Sequence, residues 1–448
     1  MRPGSTAWVG KERQVKENEW LRRIRSNEVY QMRMSVSPRD WGLEASTEKT
    51  ADALVALGMD KEDLERRCRE NTYGWLFRQF NEEIGAFYGY YDPRSKTFNE
   101  PQTANLIAPF QLIATFDRYE DEQLLHKARQ ACEWLHHHMV ETHPMSFVLG
   151  GVLDNLKPTQ LWTKYTADYV VLNLALYDRT EDELYLDRAI QSGKFLHQAQ
   201  NHHFAPKYDH RIEQWMPKGW QSFGRVVVAM LALYDITEDE RWMNWAVAWA
   251  EYGAKLQAPD GCFYLINDDY YNSDVAADEM RALVRMYRRT GRRIFLDAAL
   301  RFADWHVDHQ RRNGSWWLSV DRYGTTVGDY VGPGDVPNIA VSLMMMHRMT
   351  GEIKYLASAV QALRYSLFVQ ATPDSSAPYL DDPNVVWGFW SWDPYYDYTM
   401  SGDQSTHHVR GYLFFLDYFL SLPEDVRRAL VEYDHAAVTP SQEARNET

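Results

Sequence analysis

Apolar residues along this chain recur at helical spacing in paired runs. Five segments share one plan: IATFDRYEDEQLL, LALYDRTEDELYL, LALYDITEDERWM, VRMYRRTGRRIFL and MMMHRMTGEIKYL. In each, an apolar run ends at an aromatic or His, a short polar turn follows, and an amphipathic run begins. The second runs, such as YLDRAIQSGKFLHQAQ and FLDAALRFADWHVDHQ, place apolar residues on one face and charges on the other. That pattern predicts five helical hairpins. A sixth, more divergent inner helix is predicted from QSTHHVRGYLFFLDYFLSL.

The turn positions Tyr119, Thr180, Thr237, Thr290 and Thr350 are separated by 61, 57, 53 and 60 residues. Each period therefore holds two helices and one long loop. Such a unit cannot bury its apolar face alone and must stack on its neighbours. The expected fold is all-α, a closed toroid of six hairpins, with a helix near residues 61–80 supplying the missing outer partner; an open solenoid is the alternative. Residues 1–60 are expected to form an N-terminal extension packing on the barrel, 61–436 the barrel, and 437–448 a polar tail. Every long loop runs from an outer helix to the next inner one. The loops therefore gather on one rim, with the positive dipole ends and free N–H groups of the inner helices.

Aligning the hairpins on the turn residue exposes two polar rows. Twelve residues before it stand Ile107, Asp168, Arg225, Asp278 and Asn338, and the same register counted from Leu420 gives His408. One turn earlier stand Thr103, Lys164, Gln221, Asp274, Gly334 and Gln404. Residues four apart share a helix face, so the rows predict two stacked polar rings at the mouth of a funnel. Nearer the turn, that face is expected to hold Val, Ala, Gly and Phe with few charges. Asp274, Asp335 and Asp403 also stand where helices start, where Asp serves as an N-cap. Glu279 beside Asp278 and His407 beside His408 leave open which of each pair points inward.

Composition narrows the function. A formal charge of −15 argues against non-specific nucleic-acid binding. The local basic run Arg285, Arg288, Arg289, Arg292 and Arg293 reads as a solvated helix end. Three distant cysteines, Cys68, Cys132 and Cys262, offer no zinc spacing and suit a reducing compartment. No metal and no cofactor is expected. The sequence shows no signal-peptide run and no membrane span, so a soluble, cytoplasmic protein is expected. The oligomeric state is left open. With 17 Trp and 28 Tyr, many of them in Gly- and Pro-containing loops, the chain suits a cleft for flat-faced ligands. Trp220, Trp390, Trp392 and Tyr396, with Trp387 and Tyr395 in the same WGFWSWDPYY run, are candidate sugar-stacking residues.

Over roughly residues 60–425 the chain resembles the six-hairpin glycosidase superfamily, the (α/α)6 barrels, and most nearly the unsaturated glucuronyl and rhamnogalacturonyl hydrolases. The resemblance rests on the hairpins, on QAPDGCF at 257–263 and QRRNGSWW at 310–317, and on SDVAADEMRALVRMYRRTG and GPGDVPNIAVSLMMMHRMTG, which look like the fourth and fifth inner helices. It implies a glycoside hydrolase acting on uronic-acid-containing oligosaccharides through lumen carboxylates, Asp168 on the second inner helix being the best match.

Independently of the resemblance, two carboxylates facing one lumen can divide acid and base roles, and a separation of ~6.5–9.5 Å would predict inversion. The catalytic candidates are Asp168, Asp278 and His408. The candidate substrate-binding residues are Lys164, Gln221, Arg225, Asp274, Asn338 and His407 with the aromatic set, Lys164 and Arg225 receiving a uronate carboxylate. Rival readings are a lyase on the same barrel, using Arg225 and Asn338 with Tyr165 or a histidine as base, a terpenoid-cyclase-like toroid suggested by the Q-x-x-x-G-x-W pattern at 310–316, and a non-catalytic sugar-binding scaffold.

Overall fold

The computed structural model describes residues 34–43, 45, 52–154, 159–217, 222–265, 270–394 and 398–438. Among the described residues two α-helices precede the repeats, α1 (Asp52–Ala56) and α2 (Lys61–Arg69). The hairpins follow as α3 (Ala104–Tyr119) with α4 (Glu122–Met139), and α5 (Thr163–Thr180) with α6 (Glu183–Asn201). Next come α7 (Phe223–Thr237) with α8 (Glu240–Lys255), and α9 (Ser273–Thr290) with α10 (Arg293–Asp308). The last are α11 (Asp335–Thr350) with α12 (Ile353–Val369), and α13 (Gly402–Ser421) with α14 (Glu424–Val438).

The inner helices α3, α5, α7, α9, α11 and α13 each pack on the next, and α13 packs on α3. The ring is closed, which excludes the solenoid. The sixth outer place is taken by α2, which lies against α13, whereas α14 packs on α12 and α1. The inner helices are buried nearly all round because each faces both the lumen and an outer helix.

One local device produces the repeated hairpin. Thr180, Thr237, Thr290 and Thr350 donate their hydroxyls back to the carbonyls of Leu176, Leu233, Met286 and Met346 at 2.7–2.8 Å. The same oxygens accept from the N–H groups of Asp182, Asp239, Arg292 and Glu352 at 3.1–3.3 Å. Between them the chain enters the left-handed region, at Glu181 (φ 56°), Glu238 (φ 55°), Gly291 (φ 70°) and Gly351 (φ 76°), so each helix ends with a left-handed cap. Asp121, Asp182 and Asp239 then cap the outer helices through the N–H groups of Gln123, Leu184 and Arg241.

A second device ties the loops to the outer wall. The Gln257 amide donates to the carbonyls of Gly261 and Ala298, each at 2.8 Å. The Gln310 amide does the same to Gly314 and Ser358 at 2.9 Å. Gly314, at φ 90°, lies so close to Gln361 that a Cβ would fall 2.0 Å from that carbonyl oxygen. The Q-x-x-x-G pattern is thus a clamp between neighbouring outer helices, and this gives the cyclase-like motif a purely structural role.

The loops converge on the N-terminal rim, as expected, and they carry short strands there. Val152–Leu153, Gln160–Trp162, Lys207–Asp209 and Gln214–Met216 form an antiparallel sheet. Tyr270–Asn272 pairs with Ser319–Asp321. Strands Gln160–Trp162 and Tyr270–Asn272 run directly into α5 and α9, fixing where those inner helices begin.

At the opposite end, residues 34–43 lie under the ring. Trp41 is fully buried, with ring centroids 4.7 Å from Phe414 and 6.0 Å from Tyr418. Asp40 and Asp117 hold Arg179 at 3.5 and 2.5 Å, and Arg348 donates to the Trp41 carbonyl at 3.0 Å.

Candidate functional site

The two polar rows meet around one guanidinium. Arg225, on the first turn of α7, donates from Nη1 to Asp168, from Nε to Asp278 and from Nη2 to Asp274, each at 2.9 Å. Three helices are thereby joined by one planar fork, the geometry that arginine provides and lysine does not. Lys164 does not pair with Asp168 one turn below it; it reaches across to Asp274 at 2.9 Å. Arg225 depends on a close approach of α7 and α9. A Cβ on Gly224 would lie 2.4 Å from the backbone of Asp278, and the Gly224 N–H donates to Glu279 at 2.7 Å. That bond also settles the adjacent pair: Asp278 faces the lumen and Glu279 turns to the neighbouring helix.

These groups differ electrostatically. Burial, partly opposed by Arg225 and reinforced by Asp278 and Asp274, pushes the Asp168 carboxyl up to about 7, although 16% of its side chain remains exposed. Asp274 is partly withdrawn from water as well, but Lys164 and Arg225 outweigh that and hold it below the usual carboxylate range. Asp335, on the first turn of α11, is pushed up to about 8 by burial and by the charge of Asp274, while accepting from Ser273 Oγ at 2.5 Å. One site thus holds an ionised and a readily protonated carboxyl, the division that acid–base chemistry needs.

Asp168, Arg225, Asp278, Asn338, His407 and Ile107 line one cavity of about 50 Å³. At ~10–15 Å³ per water this holds a few waters and not a sugar ring. A saccharide would therefore rest above it, on the rim side. Gln221, Trp220, Tyr395 and Tyr396 lie outside the described residues. Trp390 is 1% exposed, so it belongs to the core rather than to an open stacking surface. Trp392 packs edge-on against Tyr330 with centroids 5.2 Å apart.

Several expectations need correction. His408 does not face the lumen: it is buried, its Nδ1 bonded to Ser366 Oγ and its ring stacked 3.8 Å from Phe389. Burial, with a smaller push from His407, drives it well below the ordinary histidine range. His407 takes the lumen position instead, with Nε2 3.5 Å from Asp403. Asn272 and Ser401, not Asp274 and Asp403, cap α9 and α13. Lys164 and Arg225 are filled by aspartates, so neither presents an open fork to a uronate.

The sequence reading missed the floor. Below the polar rings lie Arg281 and Arg410, both lining the cavity, with Met34 and Val36 of the N-terminal segment. Arg281 donates to Ser342 at 2.9 Å, to Asp278 at 3.3 Å and to Asn338. Arg285, expected in a solvated helix end, is 3% exposed. The available signal was the i, i+3 and i, i+7 spacing of Arg281 and Arg285 from Asp278.

Among the described residues no cluster of His, Cys, Asp and Glu could hold a metal ion, and no helix is long and apolar enough to cross a membrane. No family model and no curated protein matches the chain. Solved structures do. Cellobiose 2-epimerase from Bacillus thermoamylovorans superposes with a TM-score of 0.64 at 13% identity, covering 79% of this chain and 99% of that one. An unsaturated glucuronyl hydrolase specific for heparin gives 0.56 at 12%, covering 81% and 97%. An inactive variant of an α-1,6-mannanase of Salegentibacter sp., in complex with α-1,6-mannotriose, gives 0.54 at 15%, covering 79% and 98%. The chain therefore has the (α/α)6 barrel fold that these structures share.

Proposed function

We propose that this protein is a carbohydrate-active enzyme that works on an oligosaccharide at the rim end of its ring, as a glycoside hydrolase. The observation that carries this reading is the pair Asp168 and Asp278, bound to two nitrogens of one guanidinium and lining one cavity of about 50 Å³. Asp168, held up to about 7, serves as general acid, and Asp278 as the second carboxyl of the pair. Uronic-acid-containing oligosaccharides are the first substrate class to test. They are suggested by the sequence resemblance and by the name of one protein that shares the fold. The filled fork of Arg225 implies that a uronate either displaces an aspartate or is held by rim groups. The protein acts without a cofactor and in the cytoplasm on this reading.

A second reading starts from His407. Its Nδ1 is buried without a hydrogen-bond partner among the described residues while the side chain lines the lumen. A base so placed suits proton abstraction beside a carbonyl or carboxylate, the first step of elimination or of epimerisation. One screen separates the readings. Purified protein is incubated with unsaturated, saturated uronic and neutral oligosaccharides, with absorbance followed at about 235 nm and products separated by mass. Loss of the unsaturated chromophore or a gain of water supports hydrolysis. A new chromophore supports elimination, and a changed sugar of unchanged mass supports epimerisation. Hydrolysis unaffected by Asp168→Asn would remove the acid assignment.

A further inference from the structure

One arginine of α9 fixes which way an amide in the lumen faces. Arg281 is buried, and each nitrogen of its guanidinium is engaged. Nε donates to Ser342 Oγ at 2.9 Å and Nη1 to Asp278 Oδ1 at 3.3 Å. Nη2 donates twice to Asn338 of α11, to its carbonyl at 2.8 Å and to its side-chain Oδ1. Ser342 Oγ in turn donates to the Ala277 carbonyl at 2.8 Å, which ties the same two helices again. An arginine offers donors and no acceptor, so Asn338 can present only its amide oxygen to it. The amide nitrogen is thereby turned away from Arg281.

Asn338 is 6% exposed and lines the cavity of about 50 Å³ together with Asp168, Asp278, Arg225 and Arg281. Its amide nitrogen donates to no acceptor among the described residues. A buried N–H left without an acceptor is costly, so this donor calls for a partner inside the cavity. A water needs ~10–15 Å³ and two to four polar partners, and this cavity supplies both. Asp278 accepts from Arg225 at 2.9 Å through one oxygen and from Arg281 at 3.3 Å through the other. Each carboxyl oxygen carries a second lone pair, so Asp278 keeps the capacity to accept from a water as well.

We infer that this cavity is the site of an ordered water, held by a hydrogen bond from Asn338 Nδ2 and by Asp278, with Arg281 as the positioning residue that sets the direction of the amide. The site itself follows from the geometry alone. Its catalytic use rests on the hydrolase reading. There the water beside the second carboxyl of the pair is the one that hydrolysis consumes, and the sugar rests above it on the rim side. Lysine could not replace Arg281, because one ammonium does not span Ser342, Asp278 and Asn338 as a planar fork does.

The first test needs no activity. A high-resolution crystal structure of the full chain shows an ordered oxygen within hydrogen-bond reach of both Asn338 Nδ2 and Asp278, and Asn338→Leu loses it. A wild-type map without that oxygen overturns the inference, whatever the reaction. The second test uses the oligosaccharide hydrolysed in the screen. Asn338→Leu lowers kcat roughly 100-fold with KM little changed, because the water and not the sugar loses its holder. Arg281→Lys lowers kcat in the same way, and the double variant loses less than the product of the two, because Arg281 acts through Asn338. A raised KM with kcat intact, or two losses that simply multiply, overturns the assigned roles. A product of elimination or epimerisation counts against the hydrolase reading alone, and the crystal structure then decides the water site.

Discussion

The mouth and the floor of the lumen hold comparable numbers of cations but satisfy them differently. At the mouth, Arg225 and Lys164 meet Asp168, Asp274 and Asp278, all contributed by inner helices one or two places apart in the ring. At the floor, Arg285 and Arg410 meet a hydroxyl and two carbonyls brought in by residues 35 and 36, from outside the ring. Charge set against charge gives a site whose protons can be divided. Charge set against the backbone gives an anchor, with positive potential left over.

The sharpest way to break this comparison is to remove one arginine from each level. Arg225→Met removes the guanidinium that Asp168, Asp274 and Asp278 share, leaves Asp168 without a cation, and should cost about 3–5 kcal/mol in denaturant unfolding. Arg410→Met loses hydrogen bonds to carbonyls while relieving repulsion, and should cost about 1–2 kcal/mol. Equal losses would show that the two levels are not distinct. Asp168→Asn keeps the shape of the mouth and removes its proton. Turnover of the oligosaccharide identified in the screen should fall about 100-fold or more, with midpoint denaturant concentration unchanged or raised.

The pH dependence sharpens the same contrast. Asp168 is raised in the folded state to about 7 from the ordinary 3.8. Between those values the native protein holds a proton that the unfolded chain has released. Its contribution to stability is therefore full below about pH 4, falls as pH rises toward 7, and is lost above it. Asp335, at about 8, extends the fall by the same sign. Each group contributes a slope of at most about 1.4 kcal/mol per pH unit. Asp168→Asn should flatten the part below pH 7, read from unfolding midpoints across the range; an unchanged slope would mean that Asp168 is not protonated in the native lumen. The smallest effect lies at the turns on the floor side. Glu181→Gly, at φ 56°, should add about 1 kcal/mol, and no gain in chemical denaturation would show that Glu181 is unstrained there.

Much of this was legible because the turn repeats. Counting twelve residues back from Thr180, Thr237, Thr290 and Thr350 lands on Asp168, Arg225, Asp278 and Asn338, all of which line the cavity. The count works because the same threonine, left-handed cap and outer-helix start fix the phase of each helix. It failed on α13, which ends at Ser421 without that turn. There the register slipped by one residue, and His408 was read for His407. Pairings between helices could not be read from spacing: Lys164 chose Asp274, and Arg225 filled its own fork. Arg285 was misjudged because it belongs to a run of arginines whose later members do reach the surface. Its burial depends on residues 34–43, 250 positions away.

The segment beneath the ring also sets an order of assembly. Val36 and Ser35 are bonded to Arg410 across 374 and 375 residues, close to the whole length of the barrel. The residues that seal the floor leave the ribosome before any inner helix, and their partner on α13 only after the other five. Contacts of such sequence separation form late, after the loop between them has been closed by other structure. Sealing the floor is then a closing step, taken only when all six inner helices stand in place. A chain shortened before α13 would carry its plug without Arg410 to receive it, leaving Ser35 only Arg285 of its two arginines.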